Sequence, residues 1–151
     1  MSDQTKQPDG NASLWGGRFA SGMAPEMVPL NLSLNVDQRL WREDLRGSAA
    51  WAKAIGNAGV LSHDEVERIL VGLEAVAARI EREGFEGSAD EDIHALVERL
   101  LGEEAGEVAG KLHTGRSRND QSATGVRLFG MGATARIESQ LLGLCRALRE
   151  L

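Results

Sequence analysis

Residues 119–151, NDQSATGVRLFGMGATARIESQLLGLCRALREL, decide the fold. Apolar side chains recur along them at helical spacing, which predicts one helix that begins around Asn119 or Asp120 and reaches Leu151. Two apolar stripes run along this helix: Leu128, Met131, Ala135, Leu142 and Cys145 on one side, and Val126, Ala133, Ile137, Leu141, Leu144 and Leu148 on the other. A helix that is apolar on two sides must be covered on two sides. We therefore expect much of its partner surface to lie outside these 151 residues.

Two shorter helices are predicted in the first half of the chain. The first runs from about Val36 to Ala58, where apolar residues recur at helical spacing, and Asn35 could cap its start. The second begins at the sequence Ser62–Glu65, which has the pattern of a capping box. In such a box the two end side chains each accept a hydrogen bond from the other residue's backbone N–H. Gly84 is a suitable terminator for this second helix.

A third helix follows, and nothing in the sequence indicates a sheet. It starts with a similar box, Ser88–Glu91, and stops near Gly102 or Gly106. All three prolines precede residue 30, so proline blocks no helix beyond that point. No stretch alternates apolar and polar residues as a half-buried strand does. The fold class is therefore predicted to be all-α.

Composition limits the classes of function. A net charge of −6 argues against a nucleic-acid partner. No apolar run approaches the ~20 residues that a membrane-spanning helix needs, so we expect no membrane partner. Residues 1–13 are polar, lack the apolar segment of a secretory signal and are expected to form a disordered tail. The single cysteine, Cys145, cannot form an internal disulfide, so the simple interpretation is a cytoplasmic protein.

The segment before the long helix, GKLHTGRSRNDQ at 110–121, is a basic island in an acidic chain. Residues 81–107 just before it contain ten acidic and two basic residues. Arginine presents a planar fork of donors that matches a carboxylate, and the start of a helix adds free N–H groups and partial positive charge. Such an island suits a small di- or tricarboxylate. The alternative is that its arginines pair with the acidic residues before it, and that Asn119 or Asp120 is a plain helix cap.

Two other kinds of site fit the sequence poorly. The order Gly-x4-Gly-Lys-Ser/Thr of a phosphate-binding loop is absent. The three histidines, His63, His94 and His113, do not have the spacing of metal ligands, and there is no cysteine cluster. His94 lies at helical spacing from Val97 and Leu101, so by itself it would be interpreted as a histidine beside the core.

Four motifs in register resemble those of argininosuccinate lyases and the related delta-crystallins. They are GKLHTGRSRNDQ at 110–121, LWGGRF at 14–19, NLSLNVDQRLWREDLRGSAAWA at 31–52 and DEDIHALVERLL at 90–101. The resemblance implies an all-helical member of the aspartase/fumarase superfamily, which forms homotetramers around a central bundle of long helices. Residues 14–118 would then form an N-terminal helical domain, and residues 119–151 the first long helix of the central bundle.

The resemblance also implies roles for individual residues. It marks Ser33, Ser117, Arg118 and Asn119 as contacts to the substrate argininosuccinate, and His94 as an active-site residue with a supporting role. The implied reaction is a β-elimination that yields arginine and fumarate. Each active site of the family is shared between three subunits.

The chain departs from the family pattern in two ways. Ser122 and Gly125 stand where the family usually has a valine and an acidic residue. The segments of the family that carry the proposed general-acid histidine and the proposed catalytic serine, the latter in a Ser-Ser-x-Met-Pro loop, are absent. We therefore expect an N-terminal portion that cannot turn over substrate alone. The alternatives are another lyase of the superfamily, a non-catalytic protein like the crystallins, or a naturally short assembly module.

Overall fold

A computed structural model of the chain describes Ala24 and residues 26–150, and every regular element among them is helical, which confirms the all-α prediction. The α-helices are α1 (Val28–Asn31), α2 (Leu34–Asp37), α3 (Trp41–Asn57), α4 (His63–Glu83), α5 (Ile93–Ala105) and α6 (Arg118–Arg149), and 3₁₀ helices span Gln38–Leu40 and Gly106–His113. The expected disordered tail at 1–13 and the motif at 14–19 lie outside the described residues.

The chain divides into two compact units, one ending at Asn31 and one beginning at Leu32. Helix α1 belongs to the first unit, and everything below concerns the second. Among the described residues, no helix combines the length and the apolar character that crossing a membrane would require.

The core of the second unit lies between α3, α4 and α5, which pack against one another, and the 3₁₀ helix at 106–113 covers one end. Each helix contributes the apolar stripe that its sequence predicts, so burial of these stripes holds the unit together. The largest fully buried side chains of the core are Ile69, Val76, Ile93 and Leu101.

The capping box of the second predicted helix is confirmed. The Ser62 hydroxyl accepts a hydrogen bond from the Glu65 N–H at 3.2 Å, and the Glu65 carboxylate accepts one from the Ser62 N–H at 2.9 Å. The helix ends at Gly84, whose φ of 70° lies in the region that favours glycine.

Two predicted helix starts were wrong. The first predicted helix is broken into α2, a 3₁₀ turn and α3, and the residue before α2 is Ser33, not Asn35. The box predicted at Ser88–Glu91 does not form. The Ser88 hydroxyl instead donates to Asp90 at 2.6 Å, and Asp92 caps α5 by accepting from the Ala95 N–H at 2.6 Å.

The long helix also begins earlier than predicted. Its cap is Ser117, not Asn119 or Asp120, because Ser117 and Asp120 form a capping box. The Ser117 N–H donates to the Asp120 carboxylate at 3.0 Å. Gly125 does not interrupt the helix, which continues unbroken to Arg149.

The second half of α6 has no covering surface in the described part of the chain. Every residue from 134 to 150 is exposed. Large apolar side chains of both predicted stripes are at least half exposed, namely Val126, Met131, Ile137, Leu141, Leu142, Leu144 and Leu148. This agrees with the expectation that the partner surface lies elsewhere.

The close packing of α4 on α5 can be tested at Gly72. A Cβ atom there would lie 2.8 Å from Leu101 Cδ1 and 3.1 Å from Ala105 Cβ, and Leu101 is only 1% exposed and cannot move aside freely. We expect Gly72→Ala to lower the free energy of unfolding by ~1–2 kcal/mol, because overpacking outweighs the better helix propensity of alanine.

Gly102→Ala is the matched control, because a Cβ at this helical position meets nothing within 4 Å. It should raise the free energy of unfolding by up to ~1 kcal/mol. Urea unfolding followed by circular dichroism measures both variants. Shifts of the same sign would contradict this account of the α4–α5 contact.

Candidate active site

The residues predicted for the site gather around the start of α5. His94 lies in its first turn. The Ser33 N–H donates to the Glu91 carbonyl at 2.8 Å, and Arg118 Nε lies 3.7 Å from the Asp92 carboxylate. Ser117 and Asn119 flank Arg118 in the chain. Loops before α2, α5 and α6 thus bring together segments that are far apart in sequence.

His94 is buried between two partners. Its Nδ1 lies 2.7 Å from Asp44 Oδ1 on α3, and its Nε2 lies 3.2 Å from the Ser122 hydroxyl on α6. His94 is 3% exposed and Asp44 is 2% exposed. The imidazole therefore connects α3, α5 and α6, and both of its nitrogens are engaged.

Arg118, the central residue of the basic island, is held by neighbours on α5 and α6. Its guanidinium donates to Glu98 at 3.2 Å and to Gln121 at 3.0 Å. Glu98 lies in the acidic stretch 81–107. Its pair with Arg118 is therefore what the alternative predicts, in which the arginines of the basic island pair with that stretch. Lys111 is likewise paired, with Glu65 on α4.

Ser117 and Asn119 lie at the exposed N-terminus of α6. The Ser117 hydroxyl is engaged as the helix cap and accepts from the Asn119 N–H at 3.2 Å. The side-chain amide of Asn119 is exposed and bonds to no other described residue. The amide of Asn119 is therefore free to bind a ligand, whereas the hydroxyl of Ser117 already has a structural role.

Ser33 is tied to the start of α5 through Asp37. The Ser33 hydroxyl donates to Asp37 Oδ2 at 2.6 Å, and Asp37 Oδ1 accepts from the Ile93 N–H at 3.0 Å. Asp37 thus satisfies one of the free N–H groups at the first turn of α5. Ser33 is half-buried, so its hydroxyl lies at the edge of the site.

Arg116 and Ser48 belong to the same region, although the sequence did not single them out. Arg116 Nη1 donates to the buried Ser48 hydroxyl at 3.0 Å. Burial lowers the pKa of the Arg116 guanidinium below its ordinary value, while the negative charge of Asp44 opposes that shift.

A small cavity with a mixed polar and apolar lining lies against these residues. It measures about 20 Å³, room for roughly one water molecule, and is lined by Asp44, Ser48, His94, Arg116 and Gln121 among others. Asp44 Oδ2 is buried and finds no hydrogen-bond partner among the described residues. The cavity is too small to admit a dicarboxylate.

The described residues include no group of three or more histidine, cysteine or acidic side chains placed to hold a metal ion. The polar groups around the start of α5 are instead hydrogen-bond donors, cations and carboxylates. Such a set can bind and orient an anion.

The contact between His94 and Asp44 can be tested by a double-mutant cycle. His94→Leu would leave a buried carboxylate without its partner, which costs about 3–5 kcal/mol of folding free energy. In an Asp44→Asn background the same change should cost at least ~1 kcal/mol less, because no charge is left unpaired. Chemical denaturation of the four proteins measures the coupling.

His63→Leu is the control for this cycle, because His63 is exposed at the start of α4. It should change the free energy of unfolding by no more than ~0.5 kcal/mol. Equal costs of His94→Leu in both backgrounds would show that the pair contributes no specific coupling.

Comparison with known proteins gives argininosuccinate lyases as relatives. The chain is 54% identical to that of Roseiflexus castenholzii over 136 residues, 89% of this chain and 30% of the relative. It is 49% identical to that of Chlamydomonas reinhardtii over 139 residues, 91% and 29% of the two chains. It is 45% identical to that of Saccharopolyspora erythraea over 152 residues, 95% and 32% of the two chains.

These relatives confirm the resemblance that the four motifs indicated. The chain spans about 30% of the length of the relatives that it matches. The sequence profile of a family described as "Lyase" matches residues 17–151, nearly the whole chain. The chain therefore belongs to this lyase family.

Proposed function

We propose that the chain is the N-terminal portion of an argininosuccinate lyase and supplies the part of the active site that holds the succinyl group. The similarity to three argininosuccinate lyases supports the substrate and the reaction. One observation carries the proposal. Arg118, in the first turn of α6, lies close to the start of α5, where His94 and the backbone contact of Ser33 also lie.

The anion would bind at the exposed start of α6. Arg118 offers a guanidinium, Asn119 offers a free amide, and the helix terminus adds partial positive charge. The side chain of Glu98, which is 40% exposed, pairs with Arg118 in the structure. A substrate carboxylate would displace this exposed carboxylate at small cost, because partly exposed ion pairs contribute only ~0–1 kcal/mol.

The reaction would be a β-elimination that cleaves argininosuccinate to arginine and fumarate. A proton leaves the carbon beside a succinyl carboxylate, and the C–N bond breaks. Since that carbon is a weak acid, the doubly charged carboxylate intermediate must be stabilised by cations and donors. Arg118 and Asn119 would stabilise it directly, and Ser33 and Ser117 would complete the contacts to the substrate.

His94 would act in support of these residues. Both of its ring nitrogens are engaged, by Asp44 and Ser122, so it would orient its surroundings without itself taking the substrate proton. By the family resemblance, the proton-transfer groups are absent from these 151 residues, and we propose that the chain alone does not turn over. No cofactor takes part in this proposal.

We also propose the setting that the family implies. Residues 14–118 would form the N-terminal domain of the subunit, and residues 119–151 would enter the central helical bundle of a homotetramer. The whole enzyme would act in arginine biosynthesis in the cytoplasm, on a small-molecule substrate, without nucleic-acid or membrane partners.

A chimera tests the function. Residues 1–151 are joined to the remainder of the Roseiflexus castenholzii relative, and fumarate is followed by its ultraviolet absorbance. We expect the chimera to cleave argininosuccinate and chain 1–151 alone to produce no fumarate. Arg118→Gln should lower kcat/KM of the chimera by about 10- to 100-fold, because a charge-assisted hydrogen bond contributes ~1.5–3 kcal/mol.

Arg127→Gln is the matched control, because Arg127 is exposed on the same helix. It should leave kcat/KM nearly unchanged. Cleavage of adenylosuccinate or aspartate in preference to argininosuccinate would reassign the substrate. A well-folded chimera that cleaves none of these compounds would support a non-catalytic role, and turnover by chain 1–151 alone would refute the need for the absent segments.

The proposed assembly predicts self-association through α6. Its exposed apolar stripes should pair with those of other copies, so the mass measured by light scattering should rise with concentration. Leu141→Asp combined with Leu144→Asp should shift the chain toward a monomer, because a buried charge is costly. Val71→Asp, at an exposed valine on α4, should not. A monomer at all concentrations would contradict the proposal.

A further inference from the structure

A continuous line of hydrogen bonds crosses three helices behind the proposed anion site. It runs from Asp44 on α3 through His94 on α5 to Ser122 on α6, with distances of 2.7 Å and 3.2 Å. Both Asp44 and His94 are nearly fully buried, and Ser122 is half-buried. The line thus begins in the core and ends near the surface.

The hydrogen-bond partners of His94 determine which nitrogen of its ring carries the proton. An ionised carboxylate only accepts hydrogen bonds, so the atom that faces Asp44 Oδ1 must be a protonated Nδ1. In a neutral imidazole the other nitrogen then only accepts, so the Ser122 hydroxyl must donate to Nε2. The Ser122 hydroxyl makes no other hydrogen bond among the described residues, so Nε2 is the acceptor open to it.

The place of Ser122 on α6 relates this line to the proposed site. It lies four residues after Arg118 and three after Asn119, so the three side chains share one face of the first turns of the helix. His94 is 3% exposed, whereas Ser122 is half-buried. Of these two groups, the Ser122 hydroxyl is therefore the more accessible.

The side chain at position 122 decides whether Nε2 has a partner. A valine can neither donate to Nε2 nor fix the ring. The hydroxyl of Ser122 is the only partner of Nε2 among the described residues. Ser122 therefore determines how Nε2 of the supporting histidine is held.

We propose that Ser122 is a positioning residue of the site: with Asp44 it locks His94 as the neutral Nδ1–H tautomer and places its own hydroxyl between the imidazole and the ligand. This assignment rests on the proposed function only for the supporting role of His94. The hydrogen bonding itself can be measured without substrate, so failure of the catalytic proposal and failure of this one are distinguishable.

Nitrogen-15 NMR of the histidine-labelled chain tests the assignment. The chain has three histidines, and His63→Gln and His113→Gln, both at exposed positions, identify the signals of His94. We expect a protonated Nδ1 and an unprotonated Nε2 whose resonance is shifted upfield by the hydrogen bond. Ser122→Ala should move the Nε2 resonance downfield, toward that of a free imine nitrogen.

Two further variants separate hydrogen bonding from a general structural effect. Ser122→Thr keeps a hydroxyl and should hold the Nε2 resonance near its wild-type position. Ser139→Ala, which removes an exposed hydroxyl from the same helix, should leave it unchanged. An Nε2 resonance that does not respond to Ser122→Ala would overturn the proposal, and so would a protonated Nε2 in the wild-type chain.

Discussion

The buried contact between Asp44 and His94 is the constraint on which the rest of the site depends. The other ion pairs of the described residues, such as Arg99 with Asp90, are at least partly exposed and contribute little each. Asp44 and His94 are both removed from water, and without His94 the Asp44 carboxylate would lose the only side-chain hydrogen bond that it makes among the described residues. The contact fixes the start of α5 relative to α3, and the Ser33 and Arg118 contacts lie at that start.

Local signals in the sequence were sufficient to predict the helices but not all of their ends. The second helix was predicted correctly because Ser62 and Glu65 form the reciprocal bonds that their spacing indicates. At the third helix, the Ser88 hydroxyl donates to Asp90, and Asp92 caps the helix instead. At α6 several polar residues in a row could each serve, and the reciprocal bonds between Ser117 and Asp120 decide among them. Neighbouring polar residues compete to cap a helix, and the sequence pattern identifies the candidates without showing which of them forms the cap.

The candidate site was predicted from the sequence only in part, because its contacts join residues that are far apart in the chain. His94 was interpreted both as a histidine beside the core and as an active-site residue, and its burial beside Asp44 is compatible with both interpretations. Asp44 lies fifty positions away from His94 on another helix, where its own neighbours give no sign of the contact. Arg118 was predicted to bind an anionic ligand. Composition alone could not decide whether it would pair with an acidic residue such as Glu98.

Helix α6 connects the site to the proposed assembly. Its first turns are held by the Ser117 cap, by contacts to α3 and by the Ser122–His94 bond. Its second half is exposed from residue 134 onward, and an isolated helical segment of this length is marginal in water. Glycine at position 143 weakens it further, by up to ~1 kcal/mol relative to alanine. In the proposed assembly that half would pack against other helices, and because one continuous helix carries both halves, such packing would also steady Arg118 and Asn119 at its start.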